Sequence, residues 1–186
     1  MNHKENLLAK RLNCSGDEPS HMPGPVARKE DAEAIAELRQ YLQEIDVSVV
    51  KEFDEGEFRG FWVNFGDFPI LIENHKGKSY FIVAFQITLP PGQEQDTLNA
   101  YYDKKDPHFI FELTKAFTSP LTGFSRILEG GRVIGFTLSR YIYPFYHDFS
   151  VKDLDRALQA VVSQGAEGIA FLKTILPEIH EIAEGS

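Results

Sequence analysis

Apolar residues recur at helical spacing near both ends of the chain and at strand spacing between them. In Lys29–Ile45, the residues Ile35, Leu38, Leu42 and Ile45 make one apolar face, and Glu30 and Asp31 enrich the first turn. That pattern predicts an amphipathic helix. A second, longer helix is predicted from Ser150 to Ile182. Leu154, Leu158, Val161, Val162, Ile169, Leu172 and Leu176 form its stripe, with Lys152, Asp155, Gln159 and Glu167 off it. Ser150 suits an N-cap, and Asp153 three residues on is a short capping-box acid that also favours the positive end of the dipole. Pro177 stops or kinks the helix. Gly165 and Gly168 interrupt the stripe, each weakening a helix interior by about 1 kcal/mol relative to alanine. They mark either a break or a place where another backbone comes close.

Between the helices the period changes. Val47–Phe53 alternates and is β-branched, and Asp54–Glu57 reads as a turn. Phe58–Phe65 is a second strand, with Phe61, Val63 and Phe65 on one face and Trp62 on the other. Pro69–Glu73 is a third, short or at an edge because proline cannot donate to a ladder. Asn74–Gly77 is a hairpin turn. Ser79–Leu89 is a fourth strand, and its run Tyr80–Phe85 is apolar on both faces, which predicts a central position. Gln93–Asp106 is polar and poorly patterned, so a surface loop and a short helix both fit. Pro107–Phe117 reads as a helix through Phe109, Ile110, Leu113 and Phe117. Phe124–Leu128 and Arg132–Tyr143 form a hairpin about Glu129-Gly130-Gly131. The predicted class is α+β: an antiparallel sheet in the order α-β-β-β(-β)-α-β-β-α with a long C-terminal helix, all within one domain, residues 29–186.

Residues 1–28 read differently. Asn2–Leu12 suits a short basic helix, Asn13–Pro19 a loop and Pro23-Gly24-Pro25 a linker, together a flexible N-terminal tail. Ser20-His21-Met22 and Gly185-Ser186 resemble cloning remnants. On that reading the natural chain starts at Met22, and on the other the tail is native.

Composition narrows the partners. With 186 residues, 42% hydrophobic, 12% aromatic and 15 phenylalanines, the chain can bury a core. A net charge of -9 argues against nucleic acid, whose phosphates need a basic face, and against an anionic membrane surface. It fits protein or small-molecule partners. The single cysteine, Cys14, excludes an internal disulfide framework and a cysteine metal site. Apolar runs fall far short of the ~20 residues a bilayer span needs, and no signal peptide opens the chain. A cytoplasmic location is expected.

Chemical motifs are sparse. Gly77-Lys78-Ser79 is the tail of a phosphate loop whose leading glycine would stand at position 72, where the chain has Ile72. None of the six histidines has a second histidine or cysteine at ligand spacing, so neither metal nor cofactor is expected. His147-Asp148 is either an acid/base pair at a pocket mouth or the polar lead-in to a helix. Arg140, between apolar neighbours in the last strand, either pairs with an acid across the sheet or binds an anionic ligand. Arg140, Tyr143, His147 and Asp148 together make a candidate pocket. The aromatic excess says more. Phe61-Trp62-Val63 and Tyr80–Phe85 are apolar at both parities, so either helices cover both faces of the sheet or a partner covers one.

The element order, acidic character, size, opening helix Glu30–Ile45, hairpin Phe124–Tyr143 and closing helix after Ser150 resemble the type III secretion chaperone-like superfamily, which includes the YbjN family. The resemblance covers residues 29–182, and the long Gln93–Asp106 insertion and the fourth strand depart from it. It implies a non-enzymatic protein, often a homodimer, that holds an extended segment of another protein against apolar grooves. The expected function is therefore that of a protein-binding module, a chaperone-like adaptor or regulator with a protein or peptide partner. Trp62, Phe81, Gly165 and Gly168 are its expected contacts. Two alternatives stand beside it. One is a small-molecule sensor or enzyme using the His147/Arg140 pocket. The other is an immunity-type protein whose acidic surface neutralises a basic partner, with strong salt dependence.

Overall fold

The computed structural model describes residues 28–176 and 183–184. The expected features of residues 1–27, and Pro177 and His180 beyond the long helix, lie outside the described residues. Helix α1 is Asp31–Glu44. Strands β1 (Ser48–Glu55), β2 (Phe58–Phe65), β3 (Phe68–His75) and β4 (Phe81–Thr88) follow as a meander. Helices α2 (Gln93–Asp103) and α3 (Pro107–Phe117) lead to the hairpin β5 (Gly123–Glu129) and β6 (Arg132–Ile142). Helix α4 is Val151–Ile175, and a short β7 is Ala183–Glu184. The sheet runs β1-β2-β3-β4-β6-β5, antiparallel throughout, with β7 beside β4. The α+β class expected from the sequence is the class observed.

Local chemistry sets the helix boundaries. Pro107 occupies the first turn of α3, where its missing N–H is not needed, and the Asp106 carboxylate accepts from the amides of His108 and Phe109 at 2.9 and 3.2 Å. At α4, the Asp153 carboxylate accepts from the Ser150 amide at 3.0 Å and the Ser150 hydroxyl at 2.7 Å. The ambiguous stretch after β4 is a helix. Within α2 only Leu98 and Asn99 are buried, so no apolar stripe advertises it. Hydrogen bonds fasten it instead. The Asn99 side chain accepts from the Val133 amide and donates to the Val133 carbonyl, both at 2.9 Å.

One strand is placed differently from expectation. β3 is neither short nor at an edge, but lies between β2 and β4. Its ladder with β4 covers only Leu71↔Ala84 to Glu73↔Ile82. Pro69 falls beyond that stretch, so its missing N–H costs no bond to β4. β4 is paired with β6 along its whole length on the other side. The edge that β3 leaves free takes β7, through Thr88↔Ala183 and Ile87↔Glu184.

The helices all pack on one face of this sheet. Cross-strand partners share a face, and the row Phe61↔Ile72↔Val83 is fully buried. α4 lies over β4 and β6, and α3 packs against α4. α1 reaches β1 through the Arg39–Glu52 ion pair, packs against α4, and meets the lead-in to α4 through Tyr41 and Phe149. α4 runs unbroken through Gly165 and Gly168. A side chain at Gly165 would enter the ring of Phe85 and one at Gly168 the ring of Phe117, so the glycines let α4 lie close on β4 and on the end of α3. No described helix is long and apolar enough to cross a membrane.

Candidate functional site

The opposite face of the sheet carries no helix among the described residues. Its rows are Trp62↔Leu71↔Ala84↔Ser139 and Gly60↔Glu73↔Ile82↔Tyr141. Trp62 is 37% and Tyr141 54% exposed, while Leu71 and Ile82 are half-buried. Tyr80 meets Tyr141 edge to face at 5.0 Å, and Phe58 meets His75 the same way at 5.2 Å. The result is an aromatic surface on rigid strands, open to solvent and rimmed by polar residues. Such a surface is what a partner can cover at little conformational cost.

Of the expected contacts, Trp62 lies on this face. Phe81 does not: it is fully buried and stacks on Phe145 at 5.7 Å. Its partner Ile142 belongs to the helix-facing rows, so the parity of β4 that faces out is Ile82, not Phe81. Gly165 and Gly168 are buried as well, and their close neighbours are Phe85 and Phe117 of the same chain rather than a partner backbone.

Glu73 is a carboxylate of the open face on an inner strand, with no cation paired to it among the described residues. Partial burial raises its pKa above the ordinary 4.5. An acid with a raised folded-state pKa gives stability that is fully present below its unfolded value. That stability is lost as pH rises through the folded value. Glu73→Gln is therefore expected to be more stable than the wild type at neutral pH and equal to it in acid. Urea denaturation at the two pH values measures the difference.

A pocket of about 350 Å3 opens where β6 ends and α4 begins. Arg140, Tyr141, Ile142 and Tyr143 form one wall, and Asp148, Phe149 and Asp153 the other. Arg140 pairs with Val83 in the sheet, so it projects toward the helices and is half-buried. The cross-sheet ion pair expected for it is not formed, and its guanidinium makes no hydrogen bond among the described residues. Asp148 is exposed and equally without an ion pair, and Asp153 has committed one oxygen to the helix cap. The pocket expected from the sequence thus brings together Arg140, Tyr143 and Asp148. His147 is exposed and outside the lining, so the histidine–carboxylate pair does not assemble. Among the described residues no cluster of histidine, cysteine, aspartate or glutamate could hold a metal ion.

No family model and no curated protein matches the chain. Among solved structures it is similar to an uncharacterized protein from Methanothermobacter thermautotrophicus. The TM-score is 0.63 at 15% identity, over 76% of this chain and 97% of that one. It is also similar to YbjN from E. coli, described as a candidate transcription regulator, with a TM-score of 0.46 at 11% identity over 74% of this chain and 89% of that one. The archaeal likeness shows a shared fold and leaves the function to be argued from the surface.

Proposed function

We propose that the protein is a non-enzymatic binding module, a chaperone-like adaptor or regulator that holds a segment of a partner protein on the uncovered sheet face. The observation that supports this reading is the exposure of Trp62 and Tyr141 on central strands, beside Leu71 and Ile82, on the face that the helices leave open. Large rigid aromatics of this kind dominate the energy of protein interfaces. Among the described residues no cation pairs with Glu73, so the segment that fits is apolar with one basic residue set against it. A partner of that kind turns the cost of desolvating Glu73 into an ion pair.

The test uses Trp62→Glu and Tyr141→Glu, singly and together. Both side chains are partly exposed, so each variant is expected to melt close to the wild type. Partner affinity is expected to fall by about 2 kcal/mol or more per site. The readout is capture from lysate of the native host in high salt, compared between wild type and variants, after sedimentation velocity has fixed the oligomeric state. Capture unchanged in the double variant would sink the reading. Binding to wild type that vanishes in high salt points instead to the basic partner of an immunity-type protein. Self-association lost in the double variant makes the occupant a second copy of the chain.

A further inference from the structure

The pocket between β6 and α4 holds charges of both signs and leaves them apart. Arg140 faces the helices from its place opposite Val83, half-buried, and finds no carboxylate among the described residues. Yet Asp148 and Asp153 line the same pocket. Opposite charges with a short path between them normally close into an ion pair. Here they line one pocket without forming an ion pair, Arg140 set in a strand and Asp153 tied by its bonds to Ser150. The rest of the lining is Tyr143, Phe149 and Ile142, with Tyr141, whose ring lies against Tyr80 on the open face.

We infer that this pocket binds a small zwitterion, an α-amino acid with an apolar or aromatic side chain. Its carboxylate meets Arg140, whose planar fork suits a carboxylate's two oxygens. Its ammonium meets Asp148 and the uncommitted oxygen of Asp153. Its side chain lies against Tyr143 and Phe149. The volume, about 350 Å3, sits at the small end of the range of roughly 300–1,000 Å3 for small-molecule sites. A doubly charged anion such as phosphate fits poorly, because two carboxylates share the pocket with one guanidinium. A bare amine leaves Arg140 unmatched. Only a ligand with both charges answers both walls. The inference stands apart from partner docking, since Arg140 and Asp153 lie on the helix side of the sheet and the ligand is a small molecule.

The experiment titrates the full chain with L-phenylalanine and with L-leucine, followed by amide chemical shifts and by calorimetry. Phenethylamine and 3-phenylpropanoate serve as matched probes, each lacking one of the two charges. The expected result is saturable binding of at least one amino acid at millimolar concentration or below, with shifts at Tyr143 and Phe149. Each single-charge probe is expected to bind about tenfold more weakly or worse, as are Arg140→Gln and Asp148→Asn with the amino acid. Arg140 has no ion-pair partner among the described residues, so its variant is expected to fold. If it does not, the ligand series on the wild type still decides. Absence of binding by both amino acids overturns the inference. So does an amine that binds as tightly as its amino acid, which reduces the site to an acidic patch.

Discussion

Asn74→Leu is expected to cost about 3–5 kcal/mol, a large share of the 5–15 kcal/mol that holds a typical domain together. Asn74 is fully buried near the end of β3, on the helix side. Its amide nitrogen donates to the carbonyls of Lys78 and Tyr80 at 3.2 and 2.6 Å, which shapes the β3–β4 turn. Its oxygen accepts from Arg59 Nε at 2.9 Å. Arg59 is itself only 7% exposed. Its Nη2 lies 2.8 Å from Asp31 Oδ2 but meets it without a directed hydrogen bond, so Asn74 supplies the well-formed contact of that guanidinium. Leucine has the branched outline of asparagine, is larger, and makes none of its hydrogen bonds. Two carbonyls and a buried cation would lose partners at once, and an orphaned buried polar group costs about 1–3 kcal/mol, more when charged. Asn74→Asp keeps the acceptor for Arg59 and loses both donors, so its cost is expected to be smaller than that of leucine. Urea denaturation gives the two values. A loss under about 1 kcal/mol for Asn74→Leu means that water replaces the side chain and that the site is less closed than its burial indicates.

The reach of the sequence shows in single residues. Boundaries of β2 and α3 were legible to the residue, because Gly56, Gly66 and Pro107 punctuate the pattern. The two-faced character of Tyr80–Phe85 placed β4 at the centre of the sheet. The same character hid which parity faces out, because a run apolar at both positions has no polar residue to orient it. The register against β6 decides that question, through Ile82↔Tyr141, and register is a pairing between distant segments. Phe81 was therefore named where Ile82 belongs. Asn74 looked like a turn residue, and its buried role depends on Arg59, fifteen positions away in sequence. The pocket was largely legible because β6 and α4 adjoin in the chain, so Arg140, Tyr143 and Asp148 are neighbours in sequence before they are neighbours in space. His147 shares that stretch, but the turn after Tyr143 points it outward.

Gly168→Val is expected to destabilise the protein by about 3 kcal/mol, against what helix propensity alone suggests. In an isolated helix, replacing a mid-helix glycine by alanine gains about 1 kcal/mol. A Cβ at position 168 would stand 2.2 Å from Phe117 Cε1 and 2.5 Å from its Cζ. Phe117 cannot turn away. It is fully buried, stacked 5.3 Å from Phe124 and tilted against Phe136 at 4.7 Å. Overpacking of this kind costs about 1–3 kcal/mol for a small addition and more for a branched one, which exceeds the propensity gain. Gly168→Ala is then mildly destabilising, and valine, with two more carbons, is severe. Gly165 presents the same conflict to Phe85 at 2.3 Å. One movement, α4 shifting away from both β4 and the end of α3, relieves both clashes, so the double alanine variant is expected to cost less than the sum of the singles. Phe117→Leu should recover part of the loss in the Gly168→Ala background while being destabilising on its own. Thermal and urea unfolding of these variants measure each term. Stabilisation by Gly168→Ala would show that α4 lies farther from the end of α3 than the Phe117 contact requires. The same shift is expected to carry Asp153, the pocket residue that lies on α4, away from Arg140, which links packing at Gly165 and Gly168 to the width of the pocket at the other end of the helix.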